Sequence, residues 1–585
     1  MASGDLIPRV YGGFRGVDFR GEEINLARSP DSLNVWRNYK KTEGIETRPG
    51  MELLSSFTDA IYGIFFYRDM MIVHSGENLY KEVNGERTTL YEGVNAVKSD
   101  AFIYNNLWFF KDGANYLQYD GDTIGDVQGY IPTTSIARKP VSERNFASGG
   151  TIKEDVNLLS DYRINTFIGD GVNERFYLDV PTFDGEQDDK FKVEINGENI
   201  YTDDSDYEVY LDPINGMVRI YPAPPAPLTD GQDNVKITFK KTIDKSKITK
   251  CTLLQIFDNR VFFSGNPDYP NMMWHCSLND PTYCSDLDYY NEGLDTAKVK
   301  GMVAGNNALW VFKEPSQANT TIFYHTPTID VEYGKIYPNA HSSITTGCVG
   351  RAINFNDDII FFSDRGMEGI SGDITSEQVI AHRSSLIDRK LTAETTYKDM
   401  FLEEWEGYLL VFCLCKLDKK IPGTNIPLIG TRVYLADSRA MFTNENHAEY
   451  EWFCWEFDKP ITCSKVHKGI LYLGTNDGVY TLTDTTCAVK SWWVTPKDKF
   501  KHPQYLKTTN KRGCVIEATG DITVSVKTEK TDFEDIGTYT GISDYFVSRI
   551  KRKKFKDIQL KFYSNTRFSL ETATLECFIG GYTKR

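Results

Sequence analysis

One short pattern recurs seven times along the chain, and it constrains the fold more than any other feature. It consists of two to four apolar residues, a polar Asn/Asp/Gly turn, four or five strand formers, and then Gly or Ser. The copies are Phe65–Gly76, Phe102–Gly113, Ile256–Gly265, Asn306–Phe312, Ile353–Phe362, Trp405–Phe412 and Val466–Gly474. Each reads as a β-hairpin with a tight turn, its second strand apolar enough to be buried on both faces. A second hairpin follows in several copies, as at Gly76–Tyr80 and Asn476–Tyr480. Two hairpins make a four-stranded blade. Successive copies start about 40 to 60 residues apart, the length of a blade with variable loops, with one exception. The predicted fold class is all-β: a β-propeller of about seven blade repeats with an inserted small β-sandwich and a C-terminal β-sandwich. An aromatic share of 13% and 45 Gly suit strands and turns better than helices.

The exception lies between the second and third copies. Asp161–Lys241 carries about six strand-like runs, with Asn196-Gly197 and Asn215-Gly216 at hairpin turns and a proline-rich stretch from Pro222 to Pro227. This predicts an inserted sandwich. Beyond Trp493, runs at Gly513–Ala518, Ile522–Lys527, Tyr545–Lys551, Asp557–Tyr563 and Ala573–Ile579 predict a second one. The domain map is therefore an N-terminal arm at 1–60, blades at 61–140, the inserted module at 155–245, further blades at 250–490, and the closing sandwich at 495–585. The arm, dense in Gly, Arg and Asn, is expected to be extended. Removal of residues 1–50 is expected to leave soluble β-rich protein.

Charge narrows the partners. Lys and Arg total 66 against 82 Asp and Glu, a net charge of −16, so the surface should repel phosphate backbones. The start of the chain has no apolar secretory core, and the most apolar run, Tyr408–Cys415, is far short of a membrane helix. The expectation is synthesis in a cytosol with no membrane span. The 11 cysteines are scattered, with Cys413 and Cys415 two apart on one strand, and they read as buried free thiols.

No phosphate loop, nucleophile elbow or zinc-binding helix occurs. Ser363-Asp364-Arg365-Gly366 approaches a sialidase-type turn but lacks its Trp and occurs once, so it reads as a tight turn. His275 beside Cys276 reads as structural. Asp286 and Asp288, or Glu403 and Glu404, could be nominated as a glycosidase pair, yet nothing selects them from dozens of surface acids. The acidic loops Asp184–Asp189 and Asp203–Asp206 read as solvated turns, with calcium a minor option. The basic run Arg549–Lys556 reads as an edge-protecting strand or a subunit contact. No catalytic residue, metal site or cofactor is expected, and the chain is not expected to be an enzyme.

The first fifty residues hold Gly12-Gly13-Phe14, Ser29-Pro30-Asp31, Asn34-Val35-Trp36-Arg37-Asn38, and then Gly44-Ile45-Glu46-Thr47-Arg48-Pro49-Gly50. This opening resembles that of tail tubular protein B, the nozzle of short-tailed bacteriophages, and related phage tail proteins. Val193–Gly197 with the Pro-Ala-Pro segment, and Lys553–Phe562 near the end, resemble β-modules of such proteins. The resemblance implies a virion structural protein of the viral tail: a homohexameric ring of propeller subunits around the DNA ejection channel. It implies as partners other copies of the chain, tail adaptor or portal-side proteins, tail fibres, and DNA passing without specific binding. Asn34, Gly44, Arg48, Pro49 and Gly50 would form its assembly motif. Alternatives are a neck or distal-tail adaptor, or a virion propeller that binds a receptor or glycan.

Overall fold

The computed structural model describes residues 6–582 except 22–23, 42, 137–151, 230, 317–319, 332–333, 342–345, 372–378, 421–423, 445–446, 485–487, 541–545, 549 and 551–552. The fold is all-β. The described helical turns are the short ones at Ser246–Thr249, Asp388–Leu391 and Tyr397–Asp399. No described helix is long and apolar enough to cross a membrane. The chain divides into two compact units, one of residues 1–98, 300–326 and 340–585, the other of 99–299 and 327–339.

All seven repeat copies are hairpins, and each opens a four-stranded antiparallel sheet. The turns explain why the copies could be read. In six of them both central residues take positive φ: Asn105-Asn106, Asp258-Asn259, Asn306-Asn307, Asn356-Asp357, Glu406-Gly407 and Lys468-Gly469. That geometry matches the twist of the flanking strands, and Asn, Asp and Gly tolerate it best. The second strands then run through the sheet interiors, and Leu107–Lys111, Arg260–Ser264, Ala308–Lys313 and Asp358–Phe362 are buried on both faces. Replacing Asn307 with Val should cost about 1–2 kcal/mol, whereas Asn307→Gly should cost nothing. Hydrogen exchange of the amides of 303–312 checks this: faster in the Val variant, unchanged in the Gly variant.

The larger unit holds five of these sheets and the C-terminal sandwich. The sheet of Ile461–His467, Ile470–Thr475 and Gly478–Thr483 takes its fourth strand from Gly50–Ser56, paired antiparallel from Gly50↔Thr483 to Ser56↔Gly478. The sandwich sheets are built on two long strands, Tyr505–Gly520 and Phe568–Tyr582, and on Ser491–Val494, Ile522–Thr528, Thr531–Tyr539 and Ile558–Ser564. Residues read from sequence as an arm are woven into this sandwich. Leu6–Gly12 pairs with Phe568–Tyr582 from Leu6↔Phe578 to Gly12↔Thr572, and Ile45–Thr47 pairs with the same strand. Tyr11, Phe14, Val35, Trp36 and Ile45 are buried in one core with Trp455, Trp493 and Leu570. Of the basic run Arg549–Lys556, Arg549, Lys551 and Arg552 lie outside the described residues. Lys554-Phe555 pairs with Thr508-Lys507, and Phe555 is buried.

The smaller unit holds two of the seven sheets and the inserted module. That module packs a five-stranded sheet, which includes Tyr162–Phe167, Lys192–Ile195 and Val235–Lys240, against a three-stranded sheet of Arg175–Tyr177, Glu208–Asp212 and Met217–Tyr221. Phe167, Phe176, Phe191, Val218 and Ile237 fill the space between them. One of the five strands, Thr133–Ser135, pairs in parallel with Tyr162–Phe167 and lies upstream of the boundary read at 155. The uniform free-thiol expectation is corrected here: Cys276 and Cys284 are joined by a disulfide. The loop between them folds back through a Ser277↔Asp280 bridge, and the Asn157 side chain accepts from the Cys284 amide at 3.0 Å. The other described cysteines are buried free thiols.

Candidate functional site

Asn34 sits in the left-handed region at φ 57°, a conformation Asn tolerates and most residues do not. Its amide donates to Cys454 O at 2.9 Å, and its carbonyl accepts from the Arg48 amide at 2.9 Å. Its side chain is committed as well. Oδ1 accepts from the Glu456 amide at 2.7 Å and from Arg48 Nε at 2.9 Å, while Nδ2 donates to Lys490 O at 2.9 Å. Arg48 completes the node, with Nη1 donating to Pro49 O and Nη2 to Glu456 O, both at 2.8 Å, and its guanidinium 3.9 Å from the Phe457 ring centre. Pro49 leads into the Gly50–Ser56 strand. Gly44 is fixed by close approach: a Cβ there would lie 2.0 Å from Leu570 O.

The structure thus brings Asn34, Arg48, Pro49 and Gly50 into one buried junction and puts Gly44 against the long C-terminal strand. Their bonds run within the chain. Ion pairs reinforce the same junctions. Arg28 donates to both Glu451 oxygens at 2.8 and 2.9 Å, and burial pushes the Glu451 carboxyl up despite that pairing. Arg567 Nη2 donates to Glu46 at 3.0 Å, and Arg9 lies 2.8 Å from Asp498. Sequence reasoning picked out the junction residues by resemblance but missed Arg28, Glu451 and Glu456, whose partners lie hundreds of residues away.

Beside the node opens a cleft of about 890 Å³. Its lining carries seven Lys or Arg and five Asp or Glu residues, a positive balance in an acidic chain. Arg432 bridges Glu394 at 2.6 Å and Glu456 at 3.0 Å across one side of it. Lys459 pairs with Asp477 and Lys419 with Asp458. Arg389 and Lys390 are exposed and form no ion pair among the described residues. The half-buried Trp492 closes another side.

The remaining candidates have structural employment. Glu403 and Glu404 are neighbours on the strand Phe401–Trp405, so they point to opposite faces, and burial pushes Glu403 up. Asp286 and Asp288 are raised by burial, Asp288 to about 6, with Asp155 adding repulsion. His275 Nδ1 lies 3.1 Å from Cys276 O within a ring cluster of Phe262, Tyr290 and Tyr337. In the Ser363–Gly366 turn, Ser363 Oγ donates to Glu368 at 3.1 Å. Asp184 accepts from Thr242, and Asp188 pairs with Tyr162. No group of His, Cys, Asp and Glu that could hold a metal ion occurs among the described residues.

A cluster that sequence did not indicate centres on His382. Nδ1 meets Glu368 Oε2 at 3.1 Å and Nε2 meets Asp388 Oδ2 at 2.6 Å, while Ser384 Oγ donates to Asp388 at 2.6 Å. Burial alone would lower the imidazole pKa. The hydrogen bonds to Asp388 and Glu368, and then their charges, override it and hold the group up to about 10 from 6.5. A raised folded pKa makes the stabilisation full below about pH 6.5 and removes it as pH rises through about 10. His382→Gln should therefore cost about 2 kcal/mol near neutral pH. In paired thermal melts the gap between wild type and variant should close above about pH 10; a gap constant with pH would reject the imidazolium.

No family model and no curated protein matches the chain. Among solved structures, PorZ, an essential bacterial surface component of the type-IX secretion system of Porphyromonas gingivalis, aligns over 87% of this chain and 75% of its own at 12% identity and a TM-score of 0.19. Hsv2 of Kluyveromyces lactis aligns over 68% and 97% at 11% identity and a TM-score of 0.23. An exo-β-1,3-galactanase from Phanerochaete chrysosporium aligns over 55% and 94% at 8% identity and a TM-score of 0.21. Similarity at this level assigns this chain neither an activity nor a partner.

Proposed function

We propose that the chain is a structural component of a virion tail, its seven four-stranded sheets acting as propeller blades and its copies forming a ring around a DNA exit channel. The observation that carries this reading is the junction of Asn34, Arg48, Pro49 and Gly50. The stretch most like the phage nozzle proteins is the one that fastens the beginning of the chain to its last blade-like sheet. That is an element of construction. The net charge of −16 suits a channel wall that does not hold DNA. Mass spectrometry of purified particles tests the proposal. The chain should be present in fixed stoichiometry with the other tail proteins, and its absence from intact particles would overturn the reading.

A second reading, a virion propeller that binds a receptor or glycan, is favoured by the cleft beside the node. A concave site of about 890 Å³ with unpaired cations and an indole in its wall is more than a building element needs. Binding of the purified chain to host-surface polysaccharide, absent for host lacking that polysaccharide, would distinguish it.

A further inference from the structure

We propose that the cleft beside the Asn34–Arg48 node binds an oligosaccharide bearing carboxylate groups, a proposal that rests on the glycan-binding reading. Two features converge there. The first is charge: Arg389, Lys390 and Lys490 line the cleft, and none of the three is in an ion pair among the described residues, with Lys390 Nζ resting 3.7 Å from the Phe19 ring centre.

The second feature selects the ligand class. Asp31, Asp418 and Asp458 stand among the cations of the lining. A densely charged polyanion, whether DNA or a run of acidic side chains, meets repulsion from them. An acidic sugar spaces its carboxylates with neutral hydroxyls, which carboxylates such as these accept well. The positive balance then takes the sugar acid, and the indole offers an apolar edge. The rigid Asn34–Arg48 node beside the cleft pre-forms it, so little ordering opposes binding.

Isothermal titration of the full chain tests this with tetragalacturonate, neutral cellotetraose and tetraglutamate as probes. Tetragalacturonate should bind while cellotetraose should not. Arg389→Glu and Lys490→Glu, both exposed side chains whose loss leaves the fold intact, should each weaken binding at least tenfold. Binding of tetragalacturonate that neither variant alters overturns the assignment to this cleft and leaves the glycan-binding reading standing. Binding of neither saccharide overturns both. Tetraglutamate binding as tightly as tetragalacturonate overturns the saccharide class in favour of an acidic peptide.

Discussion

Removal of residues 1–50 is expected to leave a chain that cannot assemble its C-terminal sandwich. The cut takes Tyr11, Phe14, Val35, Trp36 and Ile45 out of the shared core. Each fully buried apolar side chain of this kind contributes about 1.5–3 kcal/mol, so the five together rival the 5–15 kcal/mol of net stability typical of a domain. The cut also strips the pairing partners of the long strand Phe568–Tyr582 along Leu6–Gly12 and Ile45–Thr47. Glu451 is left buried without Arg28, a loss of about 3–5 kcal/mol by itself. Aggregation, or proteolysis that begins in residues 490–582, is the expected result. This reverses the expectation from sequence alone in one respect: sequence predicts that the cut abolishes incorporation into particles but leaves soluble β-rich protein. Soluble protein with native tryptophan fluorescence after the cut would contradict the fastening role. A longer cut through Ser56 should additionally open the sheet of Ile461–Thr483, which would lose its fourth strand.

Asn34→Ala should be the most damaging single substitution at the node, at about 3–5 kcal/mol. It strands the buried Arg48 Nε and the half-buried Glu456 amide and Lys490 carbonyl, at about 1 kcal/mol each. It also places Ala at positive φ, for about 1 kcal/mol more. Asn34→Gly separates the two costs. It relieves the backbone but keeps the polar loss, and should melt between wild type and Asn34→Ala. A wild-type melting temperature for Asn34→Ala would mean that water replaces the amide and that the node does not hold the junction.

The fold was legible where its signals are local. The two-residue turns with positive φ demand Asn, Asp or Gly, so the hairpins announced themselves, and Asn196-Gly197 did the same for the inserted module. Pairings closed across most of the chain left no such trace. Leu6↔Phe578 depends on a register set by distant packing, and the strand Leu6–Gly12 contains a proline that weakens any strand signal. Thr531–Tyr539 escaped notice because its side chains are mainly polar and exposed along a sheet edge. Of the candidate site, the resemblance picked out Asn34 and Arg48. Their partner at 456 belongs to the strand His447–Phe457, which lies in the span read as further blades but is not itself read as a strand. The cleft had no sequence signature at all, because its cations come from six separate stretches between 48 and 490. The disulfide was hidden for the same reason: only the fold of the 276–284 loop brings its ends together.

Negative-stain microscopy of the purified 66.7 kDa chain, with native mass spectrometry of the same sample, tests the structural reading most directly. Closed rings of identical copies around an open centre, six to a ring as in the nozzle proteins the chain resembles, are the predicted result. A monodisperse monomer at concentrations where tail proteins assemble would contradict it.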